Sequence, residues 1–423
     1  MRNMADNPRA EPATPTAEAR QPHRTRTIAH AMEGWVTVFR RKLSAGELGV
    51  LPVVLVLAAV WIIFQALNAN FLSPRNLSNL SVDIVGTGLI AVGIVFVLLL
   101  GELDLSVGSI SGLAAAVFAV LNVNNGVPEW LALIVAVLAG TSAGALQGYS
   151  FAKTRVPAFV VTLAGLLTWN GLMLYILGNS GTVNFDENGL VAKLTSYYFT
   201  NAGVAYGVAA VATGMVFLVS YLGSRRRKAV AMPYRSLRGT ALRTGAVAVI
   251  AFAAAYVLNQ FQGLPLALLI FLVVVAGLDI VLRRTHYGRQ VYALGGSVEA
   301  ARRASLSVTR VRTAVLAVSG TMAAVGGLFL ASRITSVSQS SGSGVLLLNA
   351  IAAAVIGGTS LFGGRGTTWS AVLGMLVIQS VASGMAITDT PTAVQFVITG
   401  GVLFAAVVID SLSRRSQEAH GRA

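Results

Sequence analysis

Glu102 and Asp104 stand two residues apart in "GELDLSVGSISG" (101–112), between the apolar runs "AVGIVFVLLL" and "LAAAVFAVL", with no basic residue near them in the chain. A carboxylate in a membrane-embedded stretch is a functional-site candidate by default. Two readings fit this pair. In the first, Asp104 is a cap: it accepts N–H bonds from the turn "LSVG", where negative charge suits a helix N-terminus. In the second, the pair lies in a broken-helix turn covered by protein, lining a solute path or its gate together with Ser106 and Gly108. The readings are compatible, and the role of Glu102 stays open. Gly101, Gly108 and Gly112 permit tight turns and close helix approach.

Other acidic residues have plainer explanations. Asp279 precedes Arg283 by four positions and Asp410 precedes Arg414 by four, the spacing of helical ion pairs. Asp83 and Glu47 fall at expected membrane interfaces. A weak internal echo extends the candidate path: "GELDLSVG" (101–108) lies over "GGTSLFGG" (357–364), matching at three positions and bringing in Thr359 and Ser360. Interrupted apolar segments in two halves of a chain point to a transporter's central region. Gln147, Trp169, Asn170, Asn349 and Gln379 are the polar or aromatic groups inside apolar segments that could contact a solute. A buried amide equally serves as helix–helix glue.

Several chemistries lack their residues. The chain has no cysteine, so thiolate ligands and nucleophiles are excluded. None of its lysines follows a glycine, so the phosphate cradle G-x-x-x-x-G-K-[ST] is missing. His23, His30, His286 and His420 lie outside the apolar segments, and no metal spacing is present. The chain is expected to bind no cofactor itself and to draw any energy for transport from a partner.

The elements that must position these residues are membrane helices. The chain has 423 residues, 55% hydrophobic and only 11% charged, well below the charge content of soluble domains. Twelve apolar segments are marked: 48–67, 82–101, 105–121, 129–150, 156–178, 202–222, 244–261, 264–282, 311–331, 346–362, 369–387 and 392–410. The expected fold is all-α, a polytopic bundle of 10–12 membrane segments. With the N-terminus in the cytoplasm, only Arg75, Lys193 and Arg333 fall outside, so the positive-inside rule gives N-in, C-in topology. The net charge of +15 is then a topology signal, with lipid attraction second and nucleic acid disfavoured. Residues 1–42 read as a cytoplasmic tail, partly disordered, with "GWVTVFRRK" (34–42) either interfacial or solvated. Residues 43–412 form the membrane domain and 413–423 a second cytoplasmic tail. The loops are too short for a soluble catalytic domain.

The longest patterned inner stretch is "HYGRQVYALGGSVEAARRASLSVTRVR" (286–312). "SVEAARRAS" predicts a short helix capped by Ser297. Gly295 and Gly296 before it read as a hinge-like turn. Such a helix could transmit a push, or the stretch is a solvated basic loop that serves topology.

These same blocks resemble the sugar-type ABC importer permeases, the membrane subunits for ribose, xylose and related sugars. The resemblance rests on "FLSPRNLSNL" (71–80), "GELDLSVGSISGL" (101–113), "VPAFVVTLAG" (156–165), "YALGGSVEAAR" (292–302) and "AIAAAVIGGTSLFGGRGT" (350–367), in family order across about 48–412. Glu102, the basic loop 223–243 and the helix after it are most similar to the xylose subgroup. Ser297, Ser305 and Ser383 depart from the family's usual Asn, Gly and Asn. The resemblance implies a bacterial inner-membrane permease. A separate cytoplasmic ATPase using ATP and Mg would dock on it, a periplasmic or extracellular sugar-binding protein would deliver the solute, and two permease copies would assemble. It also implies that 289–308 couples to the ATPase, through Gly295, Gly296, Glu299, Ala300, Ala301 and Arg302. The alternatives are a permease for ribose, nucleosides or branched-chain amino acids, an ion-coupled secondary transporter using Glu102 and Asp104, and a membrane scaffold.

Overall fold

A computed structural model describes residues 51–401 apart from 155, 179–180, 231, 233–235 and 343, together with 404 and 408. The two expected tails, the 34–42 stretch, Glu47 and the Asp410–Arg414 pair lie outside the described residues. Each of the twelve apolar segments contains a helix. They are α1 (Leu51–Leu67), α2 (Pro74–Leu99), α3 (Val107–Ala119, continued by a π-helical turn Val120–Asn124), α4 (Glu129–Thr154) and α5 (Ala158–Leu177). After them come α6 (Ala202–Ala229), α7 (Leu237–Asn259), α8 (Leu266–Arg284), α9 (His286–Gly296) and α10 (Val298–Arg303). The last are α11 (Val308–Ile334), α12 (Gly344–Ile356), α13 (Thr368–Ile387) and a helical stretch from residue 392 to 401. Among the described residues, nine helices are long and apolar enough to cross a membrane.

Helix starts follow local chemistry. Ser73 caps α2, accepting from the Asn76 N–H at 3.3 Å with Pro74 in the first turn. Ser297 caps α10 by accepting from Ala300 N–H, as its sequence predicts. One segment needs correction. The apolar run 346–362 is not one helix: α12 stops at Ile356, and the glycine-rich stretch 357–367 is irregular. At 1.5 Å per residue α12 is about 20 Å long, short of a ~30 Å hydrocarbon core.

The alternating topology has a structural counterpart. Two small antiparallel ladders pair β1 (Thr182–Asn184) with β4 (Ser336–Ser338) and β2 (Tyr198–Phe199) with β3 (Leu264–Pro265). Three of the strands lie in connections drawn on the outer side, and β3 opens the segment 264–282 at its outer end. Connections drawn on the inner side also meet one another, as described below. α2 is the central helix, buried nearly throughout from Val82 to Leu99. α11 lies between α2 and α4. α6 and α7 pack together at the periphery around Ala205, Ala209, Ala255 and Leu258. Leu131, Leu138, Leu146 and Leu167 point outward from α4 and α5, as lipid-facing residues do.

Candidate functional site

The turn 100–106 joins α2 to α3. Asp104 is 1% exposed. Its Oδ1 accepts from Ser106 N–H at 3.0 Å and from Ser106 Oγ at 2.6 Å, and its Oδ2 accepts from Ser319 Oγ at 2.9 Å. The cap expectation holds in part: Asp104 binds the turn "LSVG", but the residue flanking the helix is Ser106. Ser319 comes from α11, so the carboxylate also ties two elements together. A buried carboxylate is tolerable when hydrogen bonds take the place of water.

Ser106 Oγ also lies 2.8 Å from Gln147 Oε1 on α4. One hydroxyl proton serves one acceptor. Gln147 Nε2 and Trp169 Nε1 are both buried and without a partner among the described residues, and both crowd the place where a side chain on Gly165 would begin. Turning the amide over supplies a donor for Ser106 Oγ and places an oxygen on the side of the tryptophan N–H. The polar path then runs from α5 through α4 to the turn.

Glu102 has a partner that its sequence neighbourhood hides. Arg312 Nη2 of α11 donates to Glu102 Oε1 at 3.2 Å, and its guanidinium lies 4.2 Å from the Phe151 ring centroid. Glu102 and Arg312 are both partly shielded, so the pair exceeds an ordinary surface ion pair. A double-mutant cycle with Glu102→Gln and Arg312→Gln is expected to give about 1 kcal/mol of coupling in thermal melts. Additive losses would mean the two charges do not support one another.

The turn lies part-way along the helices beside it. Ser319 is about 16 Å from the inner end of α11, and Gln147 about 10 Å from the inner end of α4, at 1.5 Å per residue. α3 therefore begins well short of the inner ends of α4 and α11. From the outer side, residues 339–342 descend to meet it: a side chain on Gly342 would collide with Gly108 O, and one on Gly112 with Ser341 O and Met173 Sδ.

The two echoed blocks touch. Gly364 N–H donates to Leu99 O at 2.9 Å, and a Cβ on Gly101 would be 3.2 Å from Phe362 O. Gly295 sits against the same joint, where a side chain would collide with Leu99 O and come within 2.9 Å of Gly364 N. Tyr292 Oη donates to Gly366 O at 2.8 Å. The hinge reading of Gly295 and Gly296 is thereby corrected: both belong to the last turn of α9, and at Gly295 the absent side chain allows backbone contact. On α10, Ala301 is buried in the main core, while Glu299, Ala300 and Arg302 are exposed. Ala301 thus faces the core, away from any docking partner.

The remaining candidates scatter. Thr359 is buried with its hydroxyl unpaired among the described residues, and Ser360 Oγ accepts from Phe362 N–H within the 357–367 turn. A cavity of about 260 Å³ is lined by Gly108 and Asn170, but not by Gln147, Trp169, Asn349 or Gln379. Its polar lining also includes Ser109, Gln339, Ser340 and Ser341, which residue type alone did not single out.

Nine helices long and apolar enough to cross a membrane, with shorter helices and irregular segments meeting beside a small cavity, define a polytopic helical membrane protein among the described residues. The family described as the permease component of a branched-chain amino acid transport system matches residues 76–407. The xylose transport system permease protein XylH of Escherichia coli is 37% identical over 376 residues, covering 88% of this chain and 94% of that protein. XylH of Haemophilus influenzae is 36% identical over 377 residues, covering 88% and 99%. The ribose import permease protein RbsC of Bacillus subtilis is 30% identical over 349 residues, covering 82% and 88%. No solved structure matches the chain. The chain belongs to this family of transport permeases.

Proposed function

We propose that this chain is the membrane-spanning subunit of an ATP-driven importer that carries a pentose, xylose or a close relative, across a bacterial inner membrane into the cytoplasm. The relatives named for xylose support the solute class. A cytoplasmic ABC ATPase supplies the energy from ATP and Mg, and this chain binds no cofactor of its own. A sugar-binding protein delivers the solute from outside, and a second copy of the chain completes the pathway.

The observation that carries the coupling part is the seat of α9 and α10. The exposed face Glu299, Ala300 and Arg302 is available to a docked ATPase, while Ala301 is buried in the core on the other side. Gly295 and Tyr292 rest on the joint between Leu99 and the 363–366 turn. A displacement of α10 therefore reaches the turn 100–106 through direct contacts. Ion coupling is less favoured, because Glu102 is engaged by Arg312 and Asp104 by two serines.

The test is uptake of labelled xylose into proteoliposomes holding this chain and its co-purified ATPase, with binding protein and ATP added or withheld. Uptake is expected only with every component present. Glu299→Arg is expected to abolish it with the fold intact, since the Glu299–Arg303 contact at 3.5 Å is exposed and worth at most about 0.5 kcal/mol. Normal uptake by that variant removes α10 as the coupling element. Uptake by the chain alone under an ion gradient overturns the whole reading.

A further inference from the structure

We infer that the cavity between the start of α3, the middle of α5 and the descending segment 339–342 is a station for one neutral polyhydroxylated solute on its way through the membrane. This rests on the pentose-import reading and adds a place and a chemistry to it. Leu166 and Asn170 lie about 12 Å and 18 Å from the inner end of α5, in its middle. The cavity is therefore near mid-membrane, where a solute must pass and where broken helices open polar backbone to it.

Its size suits a small solute. At about 260 Å³ it falls just below the ~300–1,000 Å³ typical of sites for drug-sized ligands. Its chemistry is specific too. Among the described residues that line it, none is ionisable. The side-chain amides of Asn170 and Gln339 make no hydrogen bond to other described residues, and the hydroxyls of Ser109, Ser340 and Ser341 stand beside them. Each amide offers both donors and acceptors, which matches hydroxyl groups that do both. Leu105, Leu166 and Leu347 supply apolar wall for the C–H faces of a sugar ring. The cavity opens at Asn170, Gln339 and Ser340, which are exposed, and an amino acid would bring an ammonium with no carboxylate to meet it, since Asp104 does not line the cavity and is engaged elsewhere. That charge would be left without compensation.

The test uses the reconstituted complex of this chain, its ATPase and its binding protein. Asn170→Leu combined with Gln339→Leu is expected to lower xylose uptake about tenfold or more, because a site built for hydroxyl groups loses its partners. ATP hydrolysis stimulated by the loaded binding protein should persist, which separates a lost station from a lost assembly. Gln339→Ala alone should widen the cavity and raise hexose uptake relative to pentose. Unchanged xylose uptake in the double variant, together with an unchanged pentose-to-hexose ratio in Gln339→Ala, overturns the station and leaves the importer reading standing. If the unaltered complex imports leucine and no neutral sugar, the importer reading itself fails and the station with it.

Discussion

Gly144→Leu is expected to leave little folded protein after extraction into mild detergent. Gly140, Gly144 and Gly148 recur every fourth residue on α4 and form one stripe against α11. A Cβ on Gly144 would lie 3.0 Å from the Gly320 Cα and would collide with the Leu316 carbonyl oxygen. Gly320 is small in its turn, because a side chain there would strike Gly140 O. Both obstacles are backbone, which cannot rotate aside as a side chain does. α11 cannot retreat either, since on its other face a Cβ added to Gly93 of α2 would already lie 3.1 Å from the Ser319 backbone. Small-residue stripes let membrane helices approach closely where apolar burial alone gives little drive. Overpacking a rigid contact costs about 1–3 kcal/mol, and a Leu between two backbones stands at or above the upper end. Gly207→Leu on peripheral α6 is the control, since among the described residues nothing lies within 4 Å of its added Cβ. The check is the melting temperature by size-exclusion profile. A Gly144→Leu melt equal to that of Gly207→Leu would mean that α4 and α11 are not locked together.

That stripe was readable in "GTSAGALQG", yet its partner was not. Apolar run length marks helices well, because the bilayer demands length and closed backbone hydrogen bonding whatever the tertiary contacts. Local chemistry was equally legible: the Ser297 cap, the Asp279–Arg283 pair at 2.9 Å and the bond from Asp104 into its own turn are all settled within four residues. What required the fold was long-range. Arg312 lies 210 positions from Glu102, and nothing in the local sequence joins them. Residue type does not tell which face of a helix an amide occupies, so Asn170 lines the cavity while Asn349 and Gln379 do not. The glycine pair at 295–296 looked like freedom and serves close approach at Gly295. Ser305, standing where the family usually has glycine, has φ of 59°, the left-handed region that glycine enters without strain. The resemblance thus carried a backbone requirement that the residue itself conceals.

Asp104→Ala is expected to cost about 3 kcal/mol and to prevent assembly, whereas Asp104→Asn is expected to assemble and retain most uptake. The alanine leaves Ser106 N–H, Ser106 Oγ and Ser319 Oγ without their acceptor in a site closed to water. Each orphaned donor costs about 1–3 kcal/mol, less for a hydroxyl that can turn to another acceptor, so the backbone N–H dominates. Asparagine keeps one oxygen for the Ser106 N–H. Its amide nitrogen can donate to Ser319 Oγ once that hydroxyl rotates. It also removes a buried carboxylate that has no cation beside it among the described residues, which offsets the weaker neutral hydrogen bonds. The comparison separates two uses of one residue. Asp104 does not line the cavity and is 1% exposed, so its geometry is that of a brace joining the turn to α11. Thermal melts and ATP-dependent uptake of both variants decide the matter. An asparagine variant that assembles normally but carries no sugar would make the charge itself part of transport, and an alanine variant that melts like the unaltered protein would mean the turn is held by its other contacts.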